Sequence, residues 1–345
     1  MKYAAIRTAF EGLWLSQLPA LIRKMSSARG LIFTLHRILP DKPAPFSPNA
    51  ILQVQPEFLD YVIGRMRDLG FDIVSMDEAL ERLAAPDGSC KPFVVLTFDD
   101  AYRDNLRHAL PILRRQQAPF TLYVPPGFVD GVGQLWWQAI EDIIAAQDSI
   151  ALAIDGRTDH LETRTRAQKQ QAYHALYWQM RRMPEDERVE LMRTLANAYG
   201  YDLGRQCSEL IMDWDELRQF HDETLCTLGA HTVYHYELAK LPRERAWDEM
   251  VRSADILQAQ FGVRPAHFSY PIGGAAAAGT REFELAREVG FRSGVTTRPG
   301  GLYAHHLETP HALPRISLNG YYQAHRHVEV FATGAIFSTM GKLAG

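Results

Sequence analysis

A chain of 345 residues, 46% hydrophobic and 23% charged, can bury a large core without staples and reads as one large domain or one domain carrying an insertion. Its net charge of -4 excludes a global basic field for nucleic acid. The three cysteines, Cys90, Cys207 and Cys226, are odd in number and form no CxxC; this excludes a cysteine-rich zinc site and sets the expectation of reduced thiols in the cytoplasm.

In chain order, the first 25 residues place Ile6, Phe10, Leu13, Trp14, Leu18, Leu21, Ile22 and Met25 at helical spacing, accompanied by Arg7, Arg23 and Lys24. Glu11, Ser16 and Gln17 interrupt any secretory apolar run, and no stretch approaches the ~18 apolar residues of a spanning helix. A helix packed on the domain is expected, with peripheral membrane contact through residues 1–28, at the inner membrane face, as the other reading. LIFTL at 31–35 reads as a strand ending at His36, and 56–69 as a helix closed by Gly70. A strand at 71–75 precedes a short helix at 77–83, with Asp77 as its expected N-cap. FVVLTF at 93–98 is the clearest buried strand; a helix at 102–117 and a strand at 120–124, stopped by Pro125 and Pro126, follow.

From about 131 to 217 the pattern changes to an almost wholly helical insertion, with one weak strand-like run at 150–154. Alternation resumes with a strand at 224–229, a helix at 243–260, and strands at 267–270, 293–297 and 313–318. The layout is an amphipathic segment at 1–30, a domain at 31–325 interrupted by the insertion, and a tail at 326–345. Strand–helix alternation on this scale implies a parallel α/β sheet, open or closed into a barrel, with its site at the carboxyl ends of the strands.

Three clusters fall at such ends. Thr97-Phe98-Asp99-Asp100 closes the clearest strand, and adjacent extended residues point different ways, so one carboxylate can bind a cation while its neighbour faces a water. His231-Thr232-Val233-Tyr234-His235 sets two imidazoles at i and i+4, which on a helix share one face. Two histidines and one carboxylate form a ligand set that leaves positions open for water and substrate, suited to zinc, cobalt or iron. Phe268-Ser269-Tyr270-Pro271-Ile272-Gly273-Gly274 is a turn whose glycines admit close approach of a ligand and whose N–H groups can hold an oxyanion.

TFDDAYRDNL, HTVYHYELAKL and FSYPIGG resemble the first three motifs of the polysaccharide deacetylase family (the NodB homology domain, carbohydrate esterase family 4), and the resemblance spans roughly 31–318. It implies an irregular (β/α)7 barrel and removal of N-acetyl groups from an amino sugar of the N-acetylglucosamine or chitooligosaccharide type. It also implies a divalent ion, most commonly zinc with cobalt, nickel or iron as alternatives, held by Asp100, His231 and His235. Asp99 is then the general base, and the Tyr270 backbone N–H an oxyanion donor, with Pro271 and Gly273 beside the substrate. The family's late leucine-x-histidine motif has no clean copy; among His305, His306 and His311, His306 is the expected acid for the leaving amine. The family's arginine ahead of the third motif is displaced, because Ser269 precedes Tyr270, so Arg315 is expected to orient Asp99. His36 ends the first strand and also faces the expected site. Trp136 and Trp137 are expected to anchor the insertion rather than stack on a sugar. Two other functions are compatible with these residues: deacylation of a lipid-linked sugar at the cytoplasmic membrane face, as in some relatives, and carbohydrate binding without catalysis.

Overall fold

The computed structural model describes residues 2–86, 88–154, 157–334 and 336–337. Seven parallel strands form its centre: β1 (Gly30–Leu35), β2 (Phe93–Asp99), β3 (Phe120–Val124), β4 (Cys226–Ala230), β5 (His267–Ser269), β6 (Ser293–Val295) and β7 (Ile316–Ser317). The hydrogen-bonded order is β6-β5-β4-β3-β2-β1-β7, and a two-residue strand, Asp72–Ile73, pairs with the start of β2. A parallel bridge between Val295 and Leu313, just ahead of β7, joins the two edges. Leu313 donates to Gly294 O and accepts from Thr296 N–H, both at 2.9 Å, so the sheet closes as an irregular (β/α)7 barrel.

β1, β2 and β3 are buried along their whole length, the reason their sequences are continuous apolar runs rather than alternations. Inside the barrel, Ile32, Phe93, Val95, Tyr123, Val295 and Leu313 form one packed cluster. Gly229 is in register with Tyr123, and a Cβ there would lie 2.4 Å from the Tyr123 ring; glycine makes room for that ring beneath the site.

Local chemistry explains where the sequence expectations shift. α1 (Lys2–Leu15) and α2 (Leu18–Met25) replace one continuous N-terminal helix, because Gln17 takes a left-handed φ of 57° between them. α3 (Pro56–Asp68) is followed by α4 (Met76–Ala84), whose cap is Ser75, not Asp77: Ser75 Oγ accepts the Glu78 N–H. Asp77 instead meets His267 and Arg292 at the strand starts. The helix expected at 102–117 opens with Arg103 and Asp104, widens into a π turn, Asn105–Ala109, and is α-helical again over Leu110–Arg115. Pro111 lacks the N–H a regular ladder needs there, and the wider turn accommodates it.

The insertion carries five helices and an antiparallel hairpin, Ser149–Ile154 with Arg157–Glu162: the weak strand-like run at 150–154 is a strand, and its partner at 157–162 corrects the almost wholly helical expectation. The dipeptide Asp155-Gly156 between those runs was the available sequence signal. Of the expected tail at 326–345, residues 326–331 belong to the helix His325–Phe331, which packs against α1 and α3. Residue 335 and residues 338–345 lie outside the described residues.

Candidate functional site

The carboxyl ends of β2, β4 and β5 bring the three clusters together. Asp100 and Ala101 leave β2 with φ of 74° and 58°, which turns the Asp100 carboxylate across the barrel mouth instead of along the strand. Asp100 Oδ1 lies 3.5 Å from His231 Nε2 and 3.4 Å from His235 Nε2. One donor atom from each of these residues lies within 4.8 Å of the others, and all three residues are buried.

The two histidines do not sit on a helix, which corrects the sequence expectation. Residues 231–237 form a loop in which Thr232 and His235 take φ of 56° and 58°. Glu249, reaching over from the helix Arg243–Phe261, holds that loop by accepting the N–H groups of Val233 (2.8 Å) and Tyr234 (3.2 Å). Ile272, in the third cluster, is also left-handed, so all three motifs carry strained non-glycine residues.

The donor set fits a divalent cation. His231 Nδ1 lies 2.6 Å from Ser269 O, a contact that needs the proton on Nδ1 and turns Nε2 toward Asp100. Burial lowers the His235 pKa from 6.5 to about 3, so this imidazole is neutral. Asp100 Oδ1 is buried with no hydrogen-bond partner among the described residues. Two imidazole Nε2 atoms and a carboxylate oxygen thus converge in a buried cluster, an arrangement that a cation stabilises. Trp137 and Phe128 pack on His235 with ring centroids at 4.9 and 5.7 Å. Trp137 is 6% exposed and donates its Nε1–H to Tyr102 Oη, so it ties the insertion to the site and offers no open face to a sugar.

Asp99 sits beside this set in a different environment. Burial alone would raise its pKa, but the Arg315 guanidinium outweighs burial and holds the carboxyl well below the usual range. Arg315 also donates to Ser269 Oγ, Thr97 Oγ1 and Thr296 O, so its plane is bound on every side. The Ser269 hydroxyl, which no sequence signal singled out for this role, lies 3.3 Å from Asp99 Oδ2. His36 follows β1, whose Leu35 is in register with Phe98, so it leaves the sheet at the same end as Asp99 and Asp100.

Four expected site residues are placed otherwise. His306 belongs to the segment that returns to the amino end of the barrel, where Leu302 pairs with Gly30 at the start of β1. Gly30 is in register with Phe93, and Asp99 closes that same strand, so the two ends are about 20 Å apart at ~3.3 Å per residue. The reason is topological: β6 and β7 run parallel, and the chain between them must cross to the other end before β7 can begin. The His306 Nδ1 accepts the Tyr303 N–H there. Tyr270 donates its backbone N–H to Val295 O at 3.2 Å, so that donor is engaged within the sheet, and its hydroxyl donates to His311 O. The close approach at Gly273 goes to the protein: a Cβ there would lie 2.7 Å from Thr297 N, and the neighbouring Pro271 is buried.

Comparison with known proteins identifies a family and a shared fold. The family model described as polysaccharide deacetylase matches residues 87–293, a span that contains Asp99, Asp100, His231, His235 and Ser269 and ends before Arg315. No curated protein matches the chain in sequence. The Streptococcus pyogenes deacetylase PplD, solved in complex with acetate, is similar with a TM-score of 0.56 at 18% identity, over 86% of this chain and 94% of that one. IcaB from Ammonifex degensii gives 0.55 at 17% identity, over 89% and 97%. The BpsB deacetylase domain from Bordetella bronchiseptica gives 0.51 at 15%, over 85% and 96%. At these identities the likeness is one of fold.

Proposed function

The chain belongs to the polysaccharide deacetylase family, and from that premise we propose that it is a metal-dependent hydrolase removing N-acetyl groups from N-acetylglucosamine-type units of an oligosaccharide. The observation that carries the metal dependence is the convergence of Asp100, His231 and His235 within 4.8 Å, all three buried and the Asp100 Oδ1 without a hydrogen-bond partner among the described residues. These three residues would hold a divalent ion, zinc first, with cobalt, nickel or iron as alternatives. Such an ion supplies Lewis-acid charge that lowers the pKa of a water and polarises the acetamide carbonyl.

The remaining steps fall to this chain's own side chains. Asp99, ionised and held by Arg315, accepts the proton of the attacking water as its oxygen bonds to the acetyl carbon. The carbon–nitrogen bond then breaks, and the amine nitrogen takes a proton. We assign that proton to His36, which follows Leu35 at the carboxyl end of the barrel where Leu35 is in register with Phe98, in place of His306, which lies at the far end.

A second reading has the sugar linked to a lipid at the inner membrane face. The apolar residues exposed on α1 and α2 favour it, among them Leu15 and Met25. No described helix is long and apolar enough to cross a membrane. The three free cysteines suit a reducing compartment. The deciding experiment is an acetate-release screen on defined N-acetylated oligosaccharides and lipid-linked amino sugars, with zinc, cobalt or nickel added. Metal-loaded protein that binds chitooligosaccharide yet releases no acetate from any substrate would make the chain a binding protein instead.

A further inference from the structure

α2 leaves an apolar stripe uncovered. Leu18, Leu21 and Met25, at i, i+3 and i+7, face solvent with exposures of 45%, 52% and 78%. Its inward side carries the buried Pro19 with half-buried Ile22 and Arg23, and Arg23 lies 3.6 Å from Glu329 on the helix beneath. A helix stabilised only by packing on its own domain has no use for a second apolar stripe on its outer face. Trp14 and Leu15, 41% and 71% exposed at the end of α1, extend the apolar surface around the turn at Gln17. α1 itself is seated conventionally, with Phe10 packed on Tyr322, His327 and Phe331 and Glu11 paired with Arg326. The exposure is therefore confined to the α1–α2 corner and α2, on a well-anchored base.

A basic cavity adjoins the end of this stripe. It has a volume of about 490 Å³, and Arg23, Lys24, Arg29, Arg82 and Lys91 all line it. No carboxylate lines it among the described residues. Among the described residues Arg23 meets Glu329, Arg82 meets Asp72 and Glu78, and Arg29 donates to Leu83 O and Ala85 O. Lys24 has no carboxylate partner among the described residues, and Lys91 approaches Asp72 no closer than 3.9 Å. Apolar side chains in a row beside the unpartnered Lys24 and the loosely held Lys91 are complementary to one surface in particular: acyl chains beneath anionic headgroups.

We propose that the α1–α2 corner and the basic cavity form a peripheral binding surface for an anionic phospholipid bilayer. Leu15, Leu18, Leu21 and Met25 enter the headgroup–acyl boundary, and Lys24, Lys91 and their neighbours face the headgroup phosphates. This contact is separate from the hydrolytic site and is read without turnover, so its failure leaves the deacetylase assignment standing.

The experiment is co-sedimentation of the full chain with vesicles of phosphatidylcholine alone, and of phosphatidylcholine with about one-third phosphatidylglycerol. Binding to the anionic vesicles is expected, weakening as salt rises from about 0.1 to about 0.5 M. Leu18→Glu with Leu21→Glu, and separately Lys24→Glu with Lys91→Glu, should each lower partitioning at least ~tenfold while circular dichroism stays that of the parent. All four positions are solvent-facing, so folding should survive. Absence of binding to anionic vesicles, equal binding to neutral ones, or a dimer in sedimentation velocity that the Leu18→Glu/Leu21→Glu change dissolves would each overturn the proposal, the last by assigning the stripe to a second copy of the chain.

Discussion

Arg315 grips both oxygens of Asp99: Nη1 meets Oδ1 at 2.8 Å and Nη2 meets Oδ2 at 2.7 Å, with the arginine side chain wholly buried. The pair joins the last barrel strand to the strand that carries the double aspartate. It makes Asp99 a fixed anion, oriented beside the donor set rather than part of it.

Removing the guanidinium should therefore damage both activity and stability. Arg315→Met leaves a buried carboxylate without its cation, at a cost of about 3–5 kcal/mol of unfolding free energy, read by urea denaturation. The Asp99 pKa is depressed in the fold, so its stabilising contribution is present above the ordinary carboxylate pKa of 3.8 and is lost as pH falls through the lower folded value. In Arg315→Met the carboxyl titrates at higher pH, and the acid limb of the rate profile should move up with it. An unmoved acid limb would separate Arg315 from the base.

Asp99→Asn keeps the shape and removes the proton acceptor. Turnover should drop by about 10²–10⁴ while zinc affinity, measured by calorimetry, stays within a few-fold of the parent. An Asn variant with most of its activity intact would mean that the proton goes elsewhere.

The donor set has its own signature. His235→Ala and Asp100→Ala should lose more metal affinity than the ~10–100-fold that an outer partner costs, as measured by metal content after dialysis. Glu249 is such an outer partner, since it holds the His231–His235 loop through two N–H groups without reaching the donors. Glu249→Ala should weaken metal binding ~10–100-fold, and Glu249→Gln, which keeps one acceptor oxygen, should recover part of it. Unchanged affinity in Glu249→Ala would show that the loop holds its strained φ values unaided.

His235 also makes the metal-free protein sensitive to acid. Its pKa falls from 6.5 to about 3 on folding, so between these values the unfolded chain binds the additional proton. Stability of the metal-free form should decline as pH is lowered through that window, and His235→Gln should flatten the slope in chemical denaturation at a series of pH values. Equal slopes for parent and variant would remove His235 as the titrating group.

The two histidines outside the donor set should part company. His36→Ala is expected to lower kcat by about 10²–10⁴ with the metal retained, as read from acetate release and metal content. His306→Ala should leave acetate release within experimental scatter. The reverse outcome would require the 298–313 segment to reach the other end of the barrel.

Much of the frame was legible in the chain itself. Buried parallel strands need continuous apolar runs, and a polar cluster ending such a run falls by geometry at the carboxyl edge of the sheet. Asp99-Asp100, His231–His235 and Ser269-Tyr270 could thus be assigned to one end of the barrel before any coordinates. The hairpin at 149–162 was less visible, because a short apolar run does not distinguish strand from helix by periodicity.

What only the tertiary structure decided was convergence and direction. Left-handed turns at Asp100, Thr232 and His235 aim the donors, and a loop rather than a helix carries the histidines. Such φ values are held by distant groups like Glu249, and no local preference announces them. Barrel closure likewise brings Arg315 to Asp99 across more than two hundred residues of chain and carries His306 to the opposite end. Local sequence dictates which face a side chain takes along its own element, whereas its partner across the barrel depends on strand order and register, which are properties of the whole fold.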